Sequence, residues 1–266
     1  RSDTKKSLSY HIKKSGFNAK KVSKKQIKFD IKNFKFFIEP HIEQGPVLEK
    51  KKIPLGIVTG IRGSFRFRDA FCKGEYLHSG ATPYDYRKDS VVAVSNLVNE
   101  MNIFWKAQLK KNKDLVITFG QFFTDSEEHS FAKSSGLVNF CIDVRSNSKN
   151  TLDYTKKILI KKIKLIEKQT KTKFFLGKET NSEPALMDKK LIKKFQIYSK
   201  MISMKFETMA SGAGHDASVF ANHGIPSLML FIRNKNGSHN PKEYMSIKNF
   251  EEVFKVLKGI IKDNYI

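Results

Sequence analysis

Three short segments place histidines beside glycines and carboxylates in patterns that could support metal-dependent chemistry. They are residues 41–46 (HIEQGP), 211–217 (SGAGHDA) and 237–243 (GSHNPKE). His41 and His239 each follow an apolar run typical of a strand, and imidazole is the usual protein ligand for zinc-like metals. Two such histidines could converge at one edge of a sheet. A single histidine is more often a hydrogen-bonded loop or core residue, so neither is decisive alone.

The glycine-rich segment 211–217 could serve a ligand or only the fold. Its glycines allow backbone amides to approach a ligand closely, and the N-terminus of a following helix favours anions. His215 and Asp216 could also orient a neighbouring side chain by hydrogen bonding. The alternative is an ordinary loop in which Asp216 lies near the N-cap of the helix.

Two further polar positions follow strand-like segments in the middle of the chain. His78 could donate a hydrogen bond to a developing oxyanion, or it could belong to a turn that leads to a helix capped by Asp89. Arg145 could hold a substrate carboxylate through two hydrogen bonds, or it could form a surface pair with Asp143. The sequence contains no evident Ser-His-Asp set, Walker loop or Cys-x-x-Cys motif.

The segments that must position these groups show two different patterns of apolar and polar residues. Residues 34–38 and the apolar run 53–61 predict strands, and 226–232 predicts a fully apolar strand of the kind buried in a parallel sheet. Helices are predicted over 189–200 and 250–261. These segments indicate an α/β domain.

In the middle of the chain, strand-like segments with alternating apolar and polar residues are interspersed with amphipathic helices. This pattern predicts a compact α+β sandwich of the split βαβ type. Its order is strand, helix, strand, strand, helix, strand, over residues 64–76, 89–109, 115–123, 138–145, 151–170 and 173–176. We therefore expect residues 63–178 to be an inserted lid domain. Residues 1–62 and 179–266 would then be the two parts of an interrupted catalytic domain.

Composition limits the class of protein. A chain of 266 residues with 22 phenylalanines can bury a substantial core. No apolar run is long enough to cross a bilayer, so a membrane partner is not expected. Cys72 and Cys141 lack motif spacing, which favours reduced core residues and a cytoplasmic location.

The net charge of +24 is the largest compositional signal. Nearly all of the excess is lysine spread along the chain, with only seven arginines. Nucleic-acid-binding proteins more often cluster charge and use arginine. A basic polyanion-binding protein is therefore the least favoured hypothesis, and solvated lysines on helix faces are the simpler interpretation.

Taken together, four segments resemble the hydantoinase/carbamoylase amidases. The segments are 41–49 (HIEQGPVLE), 78–89 (HSGATP followed by R-x-D), 211–217 and 237–243, and they occur in the same order as in that family. This group includes allantoate amidohydrolase, N-carbamoyl-L-amino-acid hydrolase and β-ureidopropionase. It lies in the zinc-dependent superfamily that contains acetylornithine deacetylase and succinyl-diaminopimelate desuccinylase.

The resemblance implies an α/β catalytic domain interrupted by a lid through which the protein forms homodimers. It also implies two divalent metal ions, zinc or manganese, bridged by an aspartate. His41 matches a ligand of one ion, and His239 matches a ligand of the other. The implied reaction is hydrolysis of a carbamoyl or ureido C–N bond with release of ammonia and carbon dioxide.

The resemblance also assigns substrate-facing roles. Gln44 and Gly214 match substrate-contacting positions, and Arg145 matches the arginine that holds the substrate carboxylate. His78 matches the lid histidine that reaches the neighbouring subunit's site and polarises the scissile carbonyl. The substrate itself, whether allantoate, an N-carbamoyl amino acid or N-carbamoyl-β-alanine, is left open by the motifs.

Two departures from the family pattern are visible. The family's first metal-binding His, its bridging Asp and its Glu-Glu pair lie upstream of the HIEQGP strand, and residues 1–33 contain no such set. We therefore expect this chain to be an inactive fragment of an enzyme or, alternatively, a non-catalytic remnant that dimerises through its lid. In the lid, Ala132 stands where the family often has Asn, and His129 is the nearest candidate replacement.

Overall fold

The computed structural model describes residues 4–24, 30–263 and 265–266. The helices among these residues are α1 (Leu8–Lys14), α2 (Ala19–Ser23), α3 (Val47–Lys51), α4 (Ser90–Lys110), α5 (Lys149–Thr170), α6 (Lys189–Met201), α7 (Asp216–Asn222) and α8 (Ile247–Lys262). The strands are β1 (Phe37–Ile42), β2 (Leu55–Ile61), β3 (Gly63–Lys73), β4 (Leu77–His78), β5 (Val116–Thr124), β6 (Lys133–Ser134), β7 (Leu137–Ser146), β8 (Lys173–Phe175), β9 (Glu179–Ser182), β10 (Ala185–Leu186), β11 (Phe206–Ser211) and β12 (Ser227–Ile232).

The first sheet runs in the order β1-β12-β2-β10, with β11 also paired to β2. Every residue of β12 is buried, as its continuous apolar sequence predicts. The sheet is mixed, however: β12 is parallel to β1 but antiparallel to β2. The predicted buried strand is confirmed, and its sheet is mixed because β2 enters from the opposite end.

Amphipathic helices cover the first sheet. α6 buries Leu191 and Phe195, and α8 buries Val253, Val256 and Ile260 at helical spacing. α6 and α8 contact each other and β12, while α7 contacts β1 and β12. This core fixes β1, and with it the segment that carries His41.

The second sheet has the antiparallel order β5-β7-β3-β8, with β9 also paired to β3. α4 and α5 pack against this sheet and against each other. The Asp89 carboxylate accepts hydrogen bonds from the first turn of α4, as the capping alternative predicted. The predicted α+β sandwich is confirmed, and a small two-stranded sheet of β4 and β6 accompanies it.

The two sheets are joined where β2 passes directly into β3. Arg62 donates to both carboxylate oxygens of Asp114, with Nε to Oδ1 and Oδ2 distances of 2.9 and 3.0 Å. A Cβ on Gly63 would lie 2.4 Å from the backbone nitrogen of Pro184, so only glycine fits this crossing. The domain boundaries at 62/63 and 178/179 stay predictions, and β9 continues the second sheet to Ser182.

Some element bounds differ from the predictions. β1 begins at Phe37 and continues through His41, so that histidine lies within the strand and does not follow it. The short strands β4, β6, β9, β10 and β11 were not predicted.

Cys72 is buried and Cys141 half-buried, both as free thiols, and burial raises the pKa of Cys72 to about 11. Within the described ranges, no helix has the length and apolar character needed to span a membrane.

Candidate active site

The HIEQGP segment turns sharply at the end of β1 because Glu43 folds back over it. The buried Glu43 carboxylate accepts hydrogen bonds from the backbone N–H groups of Val47 (2.8 Å) and Leu48 (2.7 Å) at the start of α3. A Cβ at Gly45 would lie 2.8 Å from Glu43 Oε1, so a larger residue would displace the Glu43 carboxylate from this position. The Glu and Gly of the motif therefore shape the turn. This turn directs the neighbouring residues of the motif towards a cleft.

Gln44 links the end of β1 to the loop that follows β12. Its backbone N–H donates to Asn234 Oδ1 at 3.0 Å, and its side-chain Nε2 donates to Ser238 Oγ at 3.0 Å. Its backbone φ is +63°, a left-handed conformation that is costly for a residue other than glycine. Gln44 Oε1 is buried and accepts no hydrogen bond from any residue that the structure describes.

His239 lies in an exposed loop held by a neighbouring carboxylate. Its backbone φ is +60°, and its N–H donates to Glu243 Oε2 at 3.1 Å. Hydrogen bonds from Ser238 and from that N–H lower the pKa of Glu243. His239 and His41 line the same cleft, of about 590 Å³, together with Gln44 and Ser238. The two histidines therefore share one edge of the sheet, as their positions near strand ends predicted.

A second group of metal-capable side chains lies around His41. Glu39, His41 and His215 each offer one ligand atom, and these atoms lie within 4.8 Å of one another. The His41 and His215 rings meet edge to face with centroids 4.5 Å apart. Burial, and then the nearby charge of His41, lower the pKa of His215 to about 4, so its imidazole is neutral at physiological pH.

The sequence contains a partial signal for this group. Residues 39 and 41 are two apart, so both side chains lie on one face of a strand. That signal was missed because the predicted strand stopped at residue 38. The proximity of His215 is tertiary, because α7 packs against β1.

The glycine-rich segment leads into α7, whose N-cap residue is His215 and whose first helical residue is Asp216. The Asp216 side chain does not cap the helix. Glu39 of β1 does so instead, since its Oε2 accepts from the Ala217 N–H at 2.7 Å. Gly214 is exposed, and a Cβ there would have no atom within 4 Å. Close packing therefore does not explain the glycine at position 214.

Arg145 connects the second sheet to this loop. Its guanidinium donates to Asp143 Oδ2 (Nη2, 2.6 Å) and to the Gly212 carbonyl (Nη1, 2.6 Å). Asp143 also accepts from Arg66 Nε at 3.1 Å. Arg145 lines a cleft of about 680 Å³ with Gln44, Ser238 and His239. The pair between Arg145 and Asp143 is thus observed, and the role of Arg145 in holding a substrate carboxylate stays a prediction.

His78 lies apart from these clefts, exposed on β4. Its Nδ1 accepts hydrogen bonds from the backbone N–H groups of Gly80 and Ala81, both at 3.1 Å. An accepting Nδ1 leaves the proton of the neutral ring on Nε2. His78 therefore presents a hydrogen-bond donor to solvent. His129, the candidate replacement for the family's Asn, forms a hydrogen bond with Thr124 Oγ1 at 2.7 Å.

Comparison with known proteins shows which proteins the chain resembles in sequence and in fold. Residues 14–263 match Peptidase family M20/M25/M40. The chain is 33% identical over 227 residues to an allantoate amidohydrolase of Escherichia coli (strain K12), covering 85% of this chain and 53% of that protein. It is 33% identical over 239 residues to an N-carbamoyl-L-amino-acid amidohydrolase of Pseudomonas sp. (strain NS671), covering 88% and 55%.

Solved structures give the same result. The structure of a hydantoinase/carbamoylase family amidase from Burkholderia multivorans superposes with a TM-score of 0.74 at 26% identity. The match covers 83% of this chain and 52% of that one. The chain thus spans about half the length of the relatives that it matches.

Proposed function

Because this chain belongs to peptidase family M20/M25/M40, we propose that it forms part of a metal-dependent amidohydrolase acting on carbamoyl or ureido C–N bonds. The substrate would be of the allantoate or N-carbamoyl amino acid type, and the products would include ammonia and carbon dioxide. Similarity to an allantoate amidohydrolase and to an N-carbamoyl-L-amino-acid amidohydrolase supports this substrate class.

The observation that carries the proposal is the unpaired oxygen of Gln44. A buried acceptor without a partner is costly unless a ligand supplies the missing donor. The N–H₂ of a carbamoyl group is such a donor. Arg145, on the same cleft, offers a guanidinium for the substrate carboxylate, and Gly214 would contact the substrate next to Gly212 and Ala213, which line the cleft. The donor and acceptor set therefore suits a small acid that carries a carbamoyl group.

The chain's histidines fit the divalent ions that the family implies. His41 Nδ1 contacts the Ile42 carbonyl at 2.7 Å, and because a carbonyl only accepts, Nδ1 carries the proton and Nε2 is free to ligate. We assign His41 to one ion and His239 to the other, of zinc or manganese. When bound, such ions lower the pKa of water so that hydroxide is available near neutral pH. The remaining ligands and the general base would come from outside residues 1–266.

His78 has the protonation that its proposed role needs. Its free Nε2–H can donate to the oxygen of a scissile carbonyl as negative charge develops there. Because the ring is exposed and away from its own chain's clefts, we propose that it serves the site of a second copy. Residues 63–178 would then be the lid through which a homodimer forms in the cytoplasm.

The test is ammonia release by the product of the full reading frame that contains this chain. Allantoate, an N-carbamoyl-L-amino acid and N-carbamoyl-β-alanine are assayed separately, with zinc and then with manganese. We expect metal-dependent release from one of the three, and no release by residues 1–266 alone. A metal-loaded full-frame product that releases no ammonia from any of them would refute the proposed function and favour a non-catalytic remnant.

A further inference from the structure

We propose that this chain by itself holds one divalent transition-metal ion between Glu39, His41 and His215. Only His41 belongs to the ligands that the family resemblance assigns, so the other two donors are new. The site does not depend on His239 or on any residue outside the chain. It also does not require the proposed catalytic function, since it concerns binding alone.

The positions of the protons support a cation between these side chains. At His41, Nδ1 donates its proton to the Ile42 carbonyl at 2.7 Å, so the neutral ring has its lone pair on Nε2. The imidazole is therefore held in the tautomer that can ligate a metal. The carbonyl acts as the outer partner that typically orients a ligating histidine.

The hydrogen bonds of His215 select the opposite tautomer, with the proton on Nε2. Ser211 Oγ donates its single proton to the Ala213 carbonyl at 3.1 Å, so it must accept in its 2.9 Å contact with His215 Nε2. Nε2 therefore carries the ring proton, and Nδ1 of the neutral ring is left with a lone pair. This lone pair is on the side of the ring that faces Glu39.

Glu39 completes the set. Its Oε2 is used by the Ala217 N–H at 2.7 Å, whereas its Oε1 lies 3.8 Å from His215 Nδ1. That separation is too long for a hydrogen bond. It brings two acceptors face to face, and both belong to side chains that are largely buried: the side chain of His215 is 3% exposed and that of Glu39 is 17% exposed. A cation between them would satisfy both.

The separations suit a zinc-like ion after a small adjustment. Two donors on one tetrahedral zinc are about 3.4 Å apart, given metal–ligand bonds of roughly 2.0–2.2 Å. The Glu39 to His215 distance of 3.8 Å is close to this value, and each of the three side chains offers one ligand atom within 4.8 Å of the other two. Side-chain rotation on a strand and a helix end that already contact each other can close the remaining gap. Two imidazoles and one carboxylate form a donor set typical of zinc, with a fourth position left for water.

The test is zinc and cobalt binding by the 266-residue chain, prepared free of metal. Zinc affinity is measured by competition with a chromophoric chelator, and visible absorption of bound cobalt reports tetrahedral coordination. The informative variants are Glu39→Gln and His215→Gln. The matched control is His223→Gln, at the exposed end of α7.

Glu39→Gln is suited to this purpose because it preserves the local fold. The glutamine oxygen can still accept from Ala217, and its amide can donate to His215 Nδ1, so only the anionic ligand is lost. Circular dichroism and thermal unfolding verify each variant. If one variant fails to fold, the other still compares directly with the His223→Gln control.

We expect one zinc per chain, and loss of affinity in both informative variants that exceeds the ~10–100-fold typical of outer partners. The control should bind zinc as tightly as the parent chain. Absence of stoichiometric binding, or equal loss in His223→Gln, would overturn the proposal. Neither result would bear on ammonia release by the full-frame product, so the two proposals fail separately.

Discussion

Two groups of side chains at the same edge of the first sheet are held in different ways. The strand cluster, Glu39, His41 and His215, is positioned by β1 and by the start of α7. The loop cluster, Gln44, Ser238 and His239, is held by side-chain hydrogen bonds, with two of its residues at positive φ. In the strand cluster, the side chains are positioned by the backbone of a strand and of a helix end. In the loop cluster, their positions depend on a few polar side chains that mutation can remove.

Asn234→Ala should separate the two clusters most clearly. Asn234 is buried, accepts from the Gln44 N–H and donates to the Gly237 carbonyl at 2.8 Å. Loss of both bonds leaves buried polar groups without partners, so we expect the free energy of unfolding to fall by about 2–4 kcal/mol. Urea denaturation measures this loss.

Asn236→Ala is the matched control for that change, because Asn236 is exposed and its side chain donates to the Lys242 carbonyl within the same loop. It should cost only about 1 kcal/mol, since alanine is less favourable than asparagine at its φ of +63°. The zinc affinity of the strand cluster should be unchanged in both variants. A large drop in zinc affinity in Asn234→Ala would show that the two clusters are not independent.

Arg145→Lys tests whether the cleft beside the loop cluster binds a carboxylate. Lysine keeps the charge but loses the two-pronged geometry, so the KM of the full-frame product should rise by roughly 10–100-fold. Arg66→Lys is the control, since Arg66 pairs with the same Asp143 but does not line the cleft. Steady-state ammonia release checks both variants, and equal effects would reduce Arg145 to a structural ion pair.

Glu43→Ala tests the turn that connects the two clusters. The Glu43 carboxylate accepts two N–H groups at the start of α3, so its removal should lower the free energy of unfolding by about 1–2 kcal/mol. Glu49→Ala on the same helix removes only long ion pairs, at 3.7 and 3.8 Å, and should cost under about 1 kcal/mol. If thermal unfolding ranked these two variants the other way, the capping role would be wrong.

Gly214→Ala should have the smallest effect on stability. The added methyl group meets no atom within 4 Å, so the free energy of unfolding should change by less than about 0.5 kcal/mol. If Gly214 contacts the substrate, the KM of the full-frame product should still rise. A variant that is destabilised but keeps its KM would show that Gly214 supports the fold and does not contact the substrate.

Most of the second sheet could be predicted from the sequence, because its strands alternate and its helices have clear apolar stripes. The buried strand Ser227–Ile232 was equally clear. β1 was not, since Glu39, Pro40 and His41 interrupt its apolar pattern, and a half-buried edge of the described sheet tolerates them. β11 was missed because Glu207 and Thr208 dilute the apolar signal of a strand that pairs along only one described neighbour.

The candidate site was predictable in part for the same reasons. His41 and His239 share a cleft because both lie near strand ends of one sheet, which the sequence pattern indicated. The roles of Glu39 and His215 depend on how α7 packs against β1. Their hydrogen bonds, which determine where the protons lie, involve partners such as Ile42, Ser211 and Ala217 that no motif singles out.

The most direct test of the central claim is ammonia release by the full-frame product and its His41→Gln variant, with His223→Gln as control. If His41 anchors a metal-dependent site, His41→Gln should lower kcat/KM by about 1000-fold, because a bound metal contributes several kcal/mol to catalysis. His223→Gln should keep full activity, and each variant's metal content is measured alongside. Parent-like activity in His41→Gln, at parent-like metal content, would contradict the account.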